Sequence, residues 1–76
     1  MRVLLAGALS PPHPRLVALA KSVLTDTEYL TWAMHQIGVT QRDIAFLRGR
    51  SPGTVSGTLD RAERKIEEAQ RERRTA

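Results

Sequence analysis

Between Thr40 and Ile66 the chain gathers the side chains best suited to grip a polyanion. Arg42, Arg48, Arg50, Arg61 and Arg64 are interleaved there with Ser51, Gly53, Thr54, Ser56, Gly57 and Thr58. Guanidinium forks pair with phosphate bidentately, and hydroxyls add phosphate contacts or touch a thymine methyl. Glycine and serine let a backbone come close to a duplex, but they cannot make the two-bond base contacts that arginine makes to guanine. The set therefore predicts binding to double-stranded DNA that depends strongly on salt and discriminates modestly among sequences. A plainer reading stays open, in which Gly57 only relieves crowding and the arginines are solvated.

Catalytic chemistry has little to build on. His13 sits in a proline cluster and His35 lacks the i, i+4 histidine or carboxylate partner of a metal site. Ser10, Ser22, Ser51 and Ser56 have no histidine close in sequence to act as base. The run from Gly49 to Gly57 lacks the lysine and the preceding strand of a phosphate-binding loop. No cysteine is present, so neither a disulfide framework nor a thiolate zinc site is available. The chain is read as a binding protein without metal or cofactor, and as cytoplasmic.

The arginines and hydroxyls need elements to hold them, and the local sequence supplies a helix-turn-helix over residues 41–66. A short helix starts after Thr40, and Gly49 provides the positive φ that ends it. Ser51 is a natural N-cap and Pro52 fits the first helical position, where a missing N–H costs nothing. Ala45 falls where the two helices approach most closely. Ile44 on the first helix can meet Val55 and Leu59 on the second, which makes a clasp. The second helix of such a motif is the one presented to the major groove.

With these residues in view, the chain resembles the DNA-binding domain shared by LuxR-type regulators and region four of bacterial sigma factors. That pattern runs L-T-x-x-E, then G-x-T-x-x-E-I-A, then G-x-S-x-x-T-V-x-x-x-L-x-R-A-x-x-K-L. The matching residues are Leu24, Thr25 and Glu28; Gly38, Thr40, Asp43 in place of the acid, Ile44 and Ala45; then Gly49, Ser51, Thr54, Val55, Leu59, Arg61, Ala62, Lys65 and Ile66. The register holds without a gap over residues 24–66. The resemblance implies a small transcriptional regulator of phage or bacterial origin, such as a repressor. Two positions depart from it: Arg48 and Arg50 flank the turn glycine where the family carries apolar residues. Neither can be buried unpaired at low cost, so Phe46 and Leu47 are expected to take over the apolar contact.

Seventy-six residues make one domain with a modest core. The formal charge of +4 suits an anionic partner, and it lies unevenly. Residues 25–37 carry Asp26 and Glu28 with no lysine or arginine, whereas nine of the basic residues follow Gly38. Val3 to Leu9 is a short apolar run at the lower limit of a secretory signal core. It is read here as an apolar arm over residues 1–13, and no stretch approaches the roughly 20 apolar residues of a membrane span.

Helical periodicity then predicts four helices, near residues 14–23, 26–37, 41–48 and 52–73, giving an all-α, small four-helix domain over residues 14–76 with an extended C-terminal helix. Thr25 with Glu28 has the spacing of a capping box. Leu30, Ala33, Met34 and Ile37 form the apolar stripe of the second helix, with Tyr29 and Trp32 beside it. On the last helix Val55, Leu59, Ala62, Ile66 and Ala69 recur at alternating spacings of four and three. This seam can pack inside the chain against residues 16–24, or its distal half, Ile66 and Ala69, can form a homodimer. The N-terminal arm is a second candidate dimer contact, and a protein partner such as RNA polymerase is the competing use of the same fold.

Overall fold

Side chains set the helix starts. In the computed structural model, which describes residues 13–75, the described residues form four helices and no strand: α1 Pro14–Val23, α2 Asp26–Gln36, α3 Gln41–Arg48 and α4 Pro52–Thr75. His13 accepts the Arg15 N–H at Nδ1, 3.0 Å away, and Pro14 occupies the first position of α1. Thr25 and Glu28 make the full capping box of α2: the Glu28 N–H donates to Thr25 Oγ1 and the Thr25 N–H to Glu28 Oε1. Thr40 accepts the Asp43 N–H to open α3, but the shorter Asp43 carboxylate returns no bond. Ser51 Oγ accepts the Thr54 N–H at the start of α4. The apolar arm expected over residues 1–13 lies, apart from His13, outside the described residues.

Two glycines end helices in the left-handed region, Gly38 at φ 99° and Gly49 at φ 64°. Both close the same double bond pattern. Val39 N–H reaches Met34 O and Gly38 N–H reaches His35 O, while Arg50 N–H reaches Ala45 O and Gly49 N–H reaches Phe46 O. After α2 the residue beyond the glycine is Val39, which packs on the core with Met34. After α3 that residue is Arg50, which is exposed, so the second turn has no apolar latch.

The long helix α4 packs against each of the other three, and α2 also packs against α3. Leu19, Ala20 and Leu24 from the first segment, Trp32 from α2, and Ile44 and Ala45 from α3 close over Val55, Leu59, Ala62 and Ile66 of α4. The Ile44, Val55 and Leu59 clasp is buried as the spacing required. Ile66 is only 6% exposed and Ala69 packs on the cluster, so the seam is filled within the chain. Ile66 therefore offers no free surface for a homodimer through Ile66 and Ala69, and packing inside the chain is the alternative the structure shows.

Two packing expectations need correction. The buried side of α2 carries Glu28, Thr31 and Trp32, with Ala33 and Met34 of the expected stripe packed against the core, while Leu30 and Ile37 are about half exposed. Glu28 and Trp32 lie one turn apart on the same face, so turning the carboxylate toward α4 takes the indole into the core with it. The stripe is thereby rotated, and Trp32 fills the core beside Tyr29, whose ring centroid is 6.0 Å away. Phe46 and Leu47 do not supply the apolar packing that arginine at positions 48 and 50 cannot provide. They are 84% and 65% exposed. Ile44 and Ala45 fix the inward side of α3, and residue 46 falls on the opposite side of an unrotated helix.

Truncating Ile66 to Ala is expected to lower the unfolding free energy by about 2–5 kcal/mol, the range for a buried large-to-small change. Phe46→Ser should stay within about 0.5 kcal/mol of the parent. Urea unfolding followed by circular dichroism checks both, and equal effects of the two substitutions would contradict the packing described.

Candidate nucleic-acid interface

The first turns of α4 begin at a fixed point because the Ser51 hydroxyl both caps the helix and donates to Thr54 Oγ1, 2.9 Å away. From there Gly53, Thr54, Asp60, Arg61 and Arg64 are exposed, and Ser56 and Gly57 are half-buried. None of the described helices covers this side, because the residues that pack are Val55, Leu59 and Ala62. Arg42 and Arg50 are exposed on α3 and the turn, while Arg48 is half-buried.

Thr58 belongs elsewhere. Its hydroxyl suggests a contact residue, yet it is 4% exposed, and its Oγ1 donates to Thr54 O at 3.0 Å. The Arg61 guanidinium in turn donates to Thr58 Oγ1 at 3.3 Å. A threonine whose hydroxyl bonds back to the preceding turn has no reach for an outside partner.

Gly57 has room for a methyl group beside the Arg61 guanidinium. A methyl group there would stand 3.8 Å from Arg61 Nη1, an ordinary contact, so crowding does not require glycine. Gly49 differs, since its backbone conformation is what demands glycine, with nothing within 4 Å of an added Cβ.

Glu28 organises the flank of this surface. It is 6% exposed, and Lys65 Nζ donates to its Oε1 at 2.8 Å. Arg61 Nε stands 3.7 Å from Oε2. One carboxylate thus caps α2 and anchors two cations of α4. The hydrogen bond from Lys65 holds the Glu28 carboxyl below the usual carboxylate range; burial pushes it up, and the Thr25 N–H and the Lys65 charge pull it down again. The capping role follows from the Thr25 and Glu28 spacing, whereas the tie to Lys65 spans 37 residues and leaves no local signal.

Arg64 is the freer of the two distal arginines. It borders a shallow cavity with Asp60, Glu63 and Glu67, yet makes no ion pair among the described residues. That acidic edge lies along the middle of α4, beyond its first two turns. Arg61 is thus tied to Glu28, whereas Arg42, Arg48, Arg50 and Arg64 make no ion pair among the described residues.

No family model matches the chain, and comparison with curated proteins and with solved structures finds no match. Among the described residues no cluster of histidine, cysteine or carboxylate side chains could hold a metal ion, and no helix is long and apolar enough to cross a membrane.

The lowered pKa of Glu28 fixes a sign. Its ionised form stabilises the fold above the ordinary glutamate pKa, and that contribution is lost as pH falls through the lower folded value. Glu28→Gln keeps a side chain able to return the cap bond but drops the charge. With Lys65 and Arg61 partly solvated, it is expected to cost about 1–2 kcal/mol at pH 7 and to flatten the acid limb of stability. Thermal unfolding between pH 2 and pH 7 checks this, and an unchanged acid limb would contradict it.

Proposed function

We propose that the chain binds double-stranded DNA through α3 and α4 and acts as a small transcriptional regulator of phage or bacterial type. The observation that carries the reading is the bare outer side of the first two turns of α4. It starts at a capped, fixed position, carries small side chains, and follows the exposed Arg50 of the turn, with Arg42 also exposed on α3. Room for a methyl group at Gly57 adds to this, because a glycine inside a helix costs about 0.5–1 kcal/mol relative to alanine and no internal contact here requires it. Close approach of a phosphate backbone is a use for that bareness. The register shared with LuxR-type and sigma region-four domains over residues 24–66 points the same way.

In this reading Arg42, Arg48, Arg50 and Arg64 supply phosphate contacts. Ser51, Gly53, Thr54, Ser56 and Gly57 sit against the groove wall, and Arg61 is held in reserve by Glu28. Sequence discrimination is modest, since no asparagine, glutamine or free arginine stands on the first turn. No catalytic role is proposed.

A second reading rests on Phe46 and Leu47. Two large apolar side chains in succession on the outer side of α3 suit a protein partner, for example a subunit of the transcription machinery, more than a phosphate backbone.

A random-sequence fluorescent duplex titrated at several salt concentrations tests the proposal. Arg42→Ala with Arg50→Ala should reduce the magnitude of the log–log salt slope by about 0.9 for each phosphate contact removed. Gly57→Ala should raise stability by about 0.5–1 kcal/mol while weakening binding. Absence of binding at low salt, or tighter binding by the Gly57→Ala protein, would move the assignment to the protein-partner reading. Phe46→Ser leaves the DNA slope unchanged if the patch serves a protein.

A further inference from the structure

At the far end of α4 the apolar seam stops being apolar. The spacing that places Ile66 and Ala69 against the core brings Arg73 to the next position. Arg73 and the start of α1, at Arg15 and Leu16, line one open groove. The result is a cavity of about 540 Å³ with Leu16 and Leu19 in its wall and Arg15, Arg73, Arg74 and His13 around it. This lies about 28 Å along the helix from Thr54, at 1.5 Å per residue.

Every charged side chain lining the cavity is cationic. Arg15, Arg73 and Arg74 make no ion pair among the described residues. His13 uses Nδ1 to accept the Arg15 N–H, so its ring also brings no anion. Like charges collected beside an apolar wall repel one another unless an anion joins them. The size falls in the range of small-ligand sites.

We infer that this groove binds a small anionic amphiphile, a carboxylate on a short aliphatic or aromatic body, with the acid between the arginines and the apolar part on Leu16 and Leu19. Two other occupants fit less well. Residues 1–12 carry Arg2 and no carboxylate, so that segment would add charge of the same sign. The acidic edge of a second copy, Asp60, Glu63 and Glu67, brings charge but no apolar group for the two leucines. Nothing in this groove depends on DNA binding.

Titration of the isotope-labelled full chain with sodium octanoate, followed by amide chemical shifts, tests it against two controls, 1-octanol and inorganic phosphate. Octanoate should give saturable shifts confined to residues 15–19 and 70–74. Each control should bind at least about tenfold more weakly, as expected when one charge-assisted bond or the apolar contact is missing. Arg15→Ala with Arg73→Ala should lose a similar factor while keeping the helical circular dichroism, since both positions are exposed. The inference is overturned if octanol or phosphate matches octanoate, if the double variant binds as well as the parent, or if no saturable shift occurs. It is also overturned if the same amides shift with protein concentration alone and Glu63→Lys abolishes that, which would make a second copy the occupant.

Discussion

Burial of one side of α4 is the interaction on which the rest of the structure depends. Among the described residues, Val55, Leu59, Ala62 and Ile66 supply the apolar surface shared by α1, α2 and α3. Each shorter helix has eight to eleven residues, below the length at which an isolated helix is stable in water. They persist because they share this partner. Alanine at position 62 lets the helices close in where the larger seam residues hold them apart, and its complete burial fits that role.

A consequence is a division of α4 into an inner side that holds the fold and an outer side that the fold does not use. Glu28 sits on the boundary. Its carboxylate is buried at low cost only because it accepts from the Thr25 cap N–H and from Lys65 and has the Arg61 charge beside it. The same contacts engage Arg61 and Lys65 with Glu28 and couple the start of α2 to the middle of α4. The outer side is thus shaped by an internal electrostatic tie as much as by its own residues, and the positive charge left to an external partner comes mainly from α3 and the turn.

Helix boundaries are legible in the sequence because they are local chemistry. Thr25, Thr40 and Ser51 cap within three residues of themselves, and Gly38 and Gly49 end helices by a backbone preference no other residue shares. The seam of α4 is legible because its period is fixed by helix geometry. The rotation of α2 is not, whereas the exposure of Phe46 follows from the inward Ile44 and Ala45 once α3 is left unrotated. Apolar residues at Leu30 and Ile37 mark a stripe by composition, but the helix turns instead to satisfy Glu28 against Lys65, a partner set only by the tertiary fold. Thr58 misleads for a related reason: a hydroxyl near the start of the helix looks available in one dimension, whereas its bond to Thr54 O and its burial are three-dimensional facts. His13 as the cap of α1 is hidden by its proline neighbours, since histidine is an uncommon cap residue.

Completion of the α4 seam within one chain is what leaves the opposite side free. Isotope-filtered nuclear Overhauser spectroscopy on an equal mixture of labelled and unlabelled protein tests this most directly. The Ile66 methyl groups should show contacts to the core only within a single molecule, with no cross-peak between labelled and unlabelled chains. Cross-peaks from Ile66 of one chain to core residues of another would contradict the account, because the seam would then be an interface between molecules.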